Sequence, residues 1–381
     1  MKNALDYIQQ LAAGSNRTQR RELMAALHNL AFSLEDAHDT VNRIGYLHLQ
    51  TAAVKIGFDL GLFRLLVKEE GTLTLSDISQ ITKADPVFLA RYLRYLAAVD
   101  VIAEVGPDRY TATNITRNLA QPVAEAGISH CFETIGPEYQ ALPRYMKKTG
   151  YMNPSDEMHT VCQEAWNTKL HQFAWFKDHP ENLKFFNDYM AHRREAEVSW
   201  LSVYPVLEQT KDWDPAKPVY VNIGGGVGHQ CAQFKKKYPD VPGQVILQDL
   251  PHTIENALTT PGVENIAHDF FQEQLVKGAK FYFTRGVCHN HPDNKVKLLL
   301  RNIMSAMSPE SIILLDEWVL PETGVSEYAA CMDLTMMAAF AAMERSESQW
   351  RKIFDEVGLK LVKIYSYNPE NYECVMDLRL P

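Results

Sequence analysis

Residues 218–229 read PVYVNIGGGVGH: a short β-branched strand, a run of glycines, then the start of a helix expected over 229–238. Glycine lets a backbone approach a ligand closely, and a helix N-terminus offers N–H groups without intrahelical partners. The junction is therefore suited to holding a ligand. It is not a dinucleotide fingerprint. Counted from Gly224, the sixth residue of GxGxxG is His229, where Gly or Ala is required. It is not a P-loop either, because no Gly-Lys-Ser/Thr follows.

Outward from this loop the same rhythm continues. QVILQDLP (244–251), KFYFTRGV (280–287) and SIILLDEWVLP (311–321) read as strands, with helical stretches at 251–258 and 293–307 between them. Strands alternating with helices predict a doubly wound α/β fold, a parallel sheet covered on both faces. LKLVKIYSY, NPEN and YECVMDLRL (359–380) read as an antiparallel hairpin at the sheet edge. Asp249 lies about 20 residues past the loop, at a strand end where an acid can accept both hydroxyls of a ribose. Asp269-Phe270 adds a second acidic–aromatic pair. Glycine loop and two acids, without a phosphate motif, suit S-adenosylmethionine (SAM), which carries ribose and adenine but no phosphate.

The first 120 residues have a different texture. Leu23, Met24, Leu27, Leu30, Ala31 and Leu34 recur at helical spacing. From Ile44 to Phe63 the run is mostly apolar, which predicts burial, preferably against a partner subunit. Ser76 is expected to cap a short helix through Ile81, and Pro86 to open a second helix with Phe88, Leu89, Tyr92, Leu93 and Leu96 on one face. EVGPDRYTAT (104–113) reads as a β-hairpin. Helix, helix, hairpin is a winged-helix layout. With only Arg91 and Arg94 on the second helix, it reads as a dimerisation or lid module rather than a DNA reader. Residues 121–205 are expected to be helical and rich in aromatics that could line an apolar substrate pocket. The expected division is thus 1–120, 121–205 and 206–381.

The composition agrees with a soluble enzyme. Of 381 residues, 46% are hydrophobic and 22% charged, which sets aside disordered and disulfide-rich classes. A net charge of −9 is a poor match for nucleic acid or an anionic membrane. Six scattered cysteines without a CxxC pair argue against a zinc or iron–sulfur centre and for a reducing, cytoplasmic setting; no metal is expected. The first residues hold no apolar signal segment, and no apolar run approaches the ~20 residues of a spanning helix.

RGVCHNHPDNK (285–295) follows the strand at 280–287, at the carboxyl edge where such sheets bind ligands. His289 there can take a proton from a phenol or enol near neutral pH. Glu317, ending LLDEW, and Glu344, in AAMERSESQW, could orient and charge-balance it. His291 is expected to pack or cap. His130 (GISHCFE) and Arg194 (MAHRREAE) could hydrogen-bond a substrate carbonyl if they face the pocket.

Across nearly the whole chain the sequence resembles the caffeic acid type O-methyltransferases, above all their fungal secondary-metabolism relatives. NIGGGVGHQ, LQDLP, AHDFF, RGVCHNHPD, DEWVLP and DLTMMAAFAAMERSESQW carry the resemblance. It implies a SAM-dependent methyltransferase domain behind a winged-helix dimerisation domain, a homodimer, and a small hydroxylated metabolite as substrate. It implies His289 as catalytic base flanked by Glu317 and Glu344. Gly224, Gly226, Asp249, Asp269 and Phe270 fall on SAM contacts, and Arg285 on a basic residue near the methionine end. Asn222 stands where the family usually has Asp, and Asn290 and His291 replace its usual Asp and aromatic. Some members of the family bind SAM yet catalyse dehydration and pericyclic steps. His130 and Arg194 match substrate-contacting positions of such a pericyclase, which keeps that chemistry as the alternative.

Overall fold

A computed structural model describes residues 2–69, 71–192 and 199–381. The chain divides into two compact units, one ending at Ile128 and one beginning at Ser129.

The first unit begins with helices Lys2–Gly14, Arg17–Ser33, Ala37–Gly45 and Leu47–Asp59. The first three bury no residue, and the fourth buries Ala53, Val54 and Gly57. The apolar run from Ile44 is therefore split. Its first part lies open, with Ile44, Leu47 and Leu49 about half exposed, while Leu62 and Phe63 are core. Gly57 is required by packing, because a Cβ there would sit 2.3 Å from the Phe63 ring.

Beyond it lie helix Leu75–Thr82, helix Pro86–Ala98 and the hairpin Ile102–Gly106/Arg109–Ala112, with Leu73–Thr74 as a third strand. The predicted cap is off by two residues: Thr74, not Ser76, caps the first of these helices. Its hydroxyl accepts from the Asp77 N–H, and Asp77 accepts from the Thr74 N–H in return. That reciprocal pairing satisfies two helix-end donors at once, which Ser76, already inside the helix, could not do. Leu89, Tyr92, Leu93 and Leu96 pack in the core as the helical spacing requires, whereas Phe88 stays 43% exposed. The Tyr92 hydroxyl donates to the Ala53 carbonyl at 2.7 Å and ties the winged module to the fourth helix.

The second unit opens with helices and closes on a seven-stranded sheet. Its strands are β1 (Pro218–Ile223), β2 (Gln244–Asp249), β3 (Val263–Ala267), β4 (Phe281–Arg285), β5 (Ile312–Trp318), β6 (Lys360–Asn368) and β7 (Glu373–Arg379). Their order is β3-β2-β1-β4-β5-β7-β6. The first five are parallel, and β7 and β6 add the expected antiparallel hairpin at one edge. β3, at the other edge, was not anticipated from the sequence. Helix Pro251–Ile254 stops four residues short of the expected end.

Alternation along the strands sorts the core into two faces. Val221, Ile223, Tyr282, Ile313 and Leu315 pack with Leu299, Leu300, Trp350 and Phe354 on one side. Tyr220, Phe281, Phe283, Ile312 and Leu314 pack with Trp200, Tyr204 and Phe234 on the other. A two-residue period thus sends the neighbours Asp316 and Glu317 to opposite faces. Among the described residues no helix is long and apolar enough to cross a membrane.

Candidate active site

The glycine loop joins β1 to helix His229–Lys237, and its geometry explains its composition. Gly224, Gly226 and Gly228 all have positive φ, a region costly for residues with a Cβ. A Cβ on Gly225 would lie 2.4 Å from Asn222 Nδ2 and 2.5 Å from Leu247. Nothing lies within 4 Å of the point where a Cβ on Gly226 would be, so space opens above the loop there.

Asp249, at the end of β2, closes this loop from the side. Its Oδ2 accepts from the Gly226 N–H at 2.8 Å, and its Oδ1 from the Leu250 N–H at 2.8 Å. A carboxylate has about four acceptor positions. Two are used here, which leaves capacity for the hydroxyls of a ribose. Phe270 borders the same loop, its ring 3.4 Å from where a Gly224 Cβ would sit, and Val287 approaches that point to 2.9 Å. Asp269 braces the Phe270 turn by accepting the Phe271 N–H at 2.9 Å. Loop, acid and aromatic edge form a cradle that an added methyl would fill, and they fit a SAM molecule.

His289 lies in a short turn just past β4. Its Nδ1 shares a 2.9 Å hydrogen bond with Glu344 Oε1, and the Glu344 side chain is 3% exposed. The Glu344 N–H in turn donates to Asp333 Oδ1 at 2.8 Å. Glu317 grips the same turn through its backbone: Oε1 accepts the N–H groups of Val287 (2.9 Å) and Cys288 (2.6 Å). Burial pushes the Glu317 carboxyl above its usual range, and the nearby His289 and the two amides oppose that rise. Val287 thereby links the two halves of the site, touching the glycine loop at one end and leading into His289 at the other.

Arg285 takes a different course. Its guanidinium lies on the opposite face of the sheet from Glu317, 3.4 Å from Asp316 Oδ2. Asp316 is fully buried, and burial pushes its carboxyl up to about 7 against the pull of Arg285. The Tyr367 hydroxyl donates to Asp316 Oδ1 at 2.7 Å. His130 is buried among rings, its centroid 5.4 Å from Phe186 and 6.4 Å from both Phe176 and Tyr189. Arg194 lies outside the described residues.

Three features were not found from the sequence. Glu157 bonds His291 Nδ1 at 3.2 Å and Lys295 at 3.2 Å, while His291 packs edge-on against Phe270 and Phe271. The His291 hydrogen bond, helped by Lys295, holds the Glu157 carboxyl down to about 2. Asp333 supports Glu344, as described. Arg345, fully buried, lies against the turn that carries His289. An ERSES stretch offers a weak clue to Arg345 alone; the Glu157 contact joins distant segments, and the Asp333 contact runs from a side chain to a backbone N–H eleven residues on.

Residues 156–360 match the O-methyltransferase domain, and residues 46–122 match the O-methyltransferase dimerisation domain. The chain belongs to the O-methyltransferase family. It is 36% identical to the O-methyltransferase ucdC of Aspergillus ustus over 98% of both chains. It is 37% identical to demethylsterigmatocystin 6-O-methyltransferase of Aspergillus parasiticus, over 92% of this chain and 90% of that one. The solved complex of LepI with SAM matches with a TM-score of 0.88 at 34% identity, covering 100% of this chain and 98% of LepI. The chain thus carries the domain pair of this family, and its fold is the one in which LepI was solved with SAM bound.

Proposed function

We propose that the chain methylates a hydroxyl of an aromatic or polyketide-type metabolite, with His289 as general base. The observation that carries this reading is the His289–Glu344 hydrogen bond, held one short turn from the glycine loop. With Nδ1 bonded to a carboxylate, Nδ1 carries the ring proton and Nε2 is the basic nitrogen. Nε2 takes the hydroxyl proton as the oxygen becomes nucleophilic, and the Glu344 carboxylate balances the imidazolium that forms. SAM, when bound, supplies the methyl group as an electrophilic carbon on a sulfonium. The imidazolium then returns its proton to water. A positioned base is worth roughly 10²–10⁴ in rate, and alignment of the reacting atoms supplies much of the remainder.

Gly224, Gly226, Asp249, Asp269 and Phe270 are proposed to hold SAM, with Arg285 toward its methionine end; His130 and Arg194 are proposed to contact substrate. The dimerisation domain and the open helices that precede it support a homodimer, and the scattered free thiols suit a cytoplasmic setting. Demethylsterigmatocystin, the substrate named for one relative, is a reasonable first probe among phenolic polyketides. With SAM present, the proposal expects a product heavier by one methylene unit and an equal amount of S-adenosylhomocysteine.

A second reading has its own support. A structure described as a pericyclic reaction enzyme matches at 34% identity with a TM-score of 0.88. On that reading His130, His289 and Arg194 polarise a substrate carbonyl, and SAM is not consumed. An isomerised or dehydrated product without S-adenosylhomocysteine would select it.

A further inference from the structure

We infer that Arg345 is a positioning residue for His289, fixing the imidazole through the backbone of the turn that carries it. The inference rests on His289 being the base. Arg345 is fully buried, and its five N–H donors match five hydrogen bonds. Nη1 donates to the carbonyls of Cys288 (3.2 Å) and Met343 (3.3 Å). Nη2 donates to the His291 carbonyl (2.9 Å) and to Asp293 Oδ1 (2.8 Å), and Nε donates to the same oxygen (3.0 Å). The two carbonyls of the turn that Arg345 holds lie on either side of His289.

The turn is therefore gripped with opposite charges. The Glu317 carboxylate takes its N–H groups at Val287 and Cys288, and the Arg345 guanidinium takes its carbonyls at Cys288 and His291. Arg345 also directly follows Glu344, which bonds the imidazole itself, so adjacent residues hold one histidine by side chain and by backbone. The Arg345 carbonyl accepts from the Leu320 N–H at 3.0 Å, just past the end of β5, the strand that carries Glu317. Burying a charge is expensive unless every donor is satisfied, and an apolar residue would fill the same space at lower cost. What an apolar residue cannot do is clamp both carbonyls. Lysine, a single flexible point charge, cannot reproduce the fork.

The test uses the full-length protein with S-adenosylhomocysteine as the bound probe and ¹⁵N-labelled histidine. In the wild type the His289 ring is expected to show one tautomer, protonated at Nδ1. In Arg345→Lys those ring signals should shift and average, while affinity for S-adenosylhomocysteine stays within about threefold. Asp293→Ala, which removes two of the five bonds from a half-exposed side chain, should move the same signals in the same direction by less. Unchanged His289 signals in a folded Arg345→Lys, or in Asp293→Ala if the lysine variant does not fold, would overturn the inference.

Turnover adds a second readout. With a substrate whose free hydroxyl the enzyme methylates, Arg345→Lys should lower kcat by roughly 10²-fold at constant KM, the cost of about 1 Å of misplacement. In a His289→Ala background the same change should have little effect, because the residue it positions is gone. An equal loss in both backgrounds would show that Arg345 acts on the fold rather than on His289. Full turnover by His289→Ala alone would instead refute the base assignment, while the NMR coupling of Arg345 to His289 would stand or fall separately.

Discussion

His289 and Asp249 have separable roles in the proposed mechanism, so their variants should fail in different ways. His289→Ala removes the proposed base but no part of the cofactor cradle. We expect kcat to fall by roughly 10²–10⁴ with S-adenosylhomocysteine affinity unchanged, and the loss to shrink at high pH, where the substrate hydroxyl ionises unaided. Rate measurements over a pH series check this; a loss equally deep at pH 10 would argue against proton abstraction. Asp249→Ala leaves His289 alone but removes the acceptor for the Gly226 N–H together with the proposed ribose acceptor. A charge-assisted hydrogen bond is worth about 1.5–3 kcal/mol, so affinity by calorimetry should drop roughly 10- to 100-fold. Unaltered affinity would remove Asp249 from the cofactor site. The places of both residues were legible because Asp249 ends β2 and His289 follows the end of β4, where an apolar run gives way to Gly, Asp or His. Arg345 could not be read that way. Its partners are backbone carbonyls at Cys288 and His291, more than fifty residues away, and backbone acceptors leave no trace in residue type.

At the scale of elements, the parallel strands were legible because they are buried on both faces and read as unbroken apolar runs. β3 was not, since VENIA is an edge strand with only Val263 and Ile266 turned toward the core. The tie between residues 151–160 and the start of helix Asp293–Met304 also escaped notice, because Glu157 and His291 are 134 residues apart. This tie predicts a pH dependence. The folded pKa of Glu157 is held down to about 2 from an ordinary 4.5, so the bonds its carboxylate makes to His291 and Lys295 stabilise the fold once the pH exceeds 4.5. That contribution fades as the pH falls toward 2. Glu157→Gln should therefore lower Tm near pH 7 by a few degrees, about 1 kcal/mol after solvent screening, with the gap to wild type closing in acid. Melting curves at pH 7 and pH 4 test the sign; a gap that widens in acid would contradict it. The glycine loop makes a steric prediction of its own. Gly225→Ala places a Cβ 2.4 Å from Asn222 Nδ2 and 2.5 Å from Leu247, so loop or strand must shift. Overpacking of this kind costs about 1–3 kcal/mol. Both Tm and cofactor affinity should fall, and retention of both would show that the loop has room to spare.

For the whole molecule, the decisive observation is how little the N-terminal helices bury. Leu5, Tyr7, Leu30, Leu34, Val41 and Ile44 are each more than half exposed, on three helices with no buried residue or, for Leu34, at the C-cap of the second. Large apolar residues clustered on elements without a core of their own mark a surface that another chain covers. The helices are also well capped: Asn16 and Asp36 each close a reciprocal capping box, so these segments are specified as helices rather than loose ends. Helices specified in sequence but uncovered within their own unit require a partner, and the dimerisation domain match over 46–122 points to a second copy. We therefore expect the purified protein to scatter light at twice its 43.4 kDa chain mass at micromolar concentration. Removing residues 2–33 should uncouple the subunits or reduce solubility, because the apolar faces of the remaining helices lose their cover. Charge substitutions at the most exposed position, Leu34→Glu with Leu30→Glu, should weaken the dimer without unfolding the winged module, whose core around Leu89, Leu93 and Leu96 lies elsewhere. Far-UV circular dichroism and scattering measured together decide the matter. A well-folded wild-type monomer at these concentrations would refute the assembly, and a double-glutamate variant that remains fully dimeric would move the interface away from these helices.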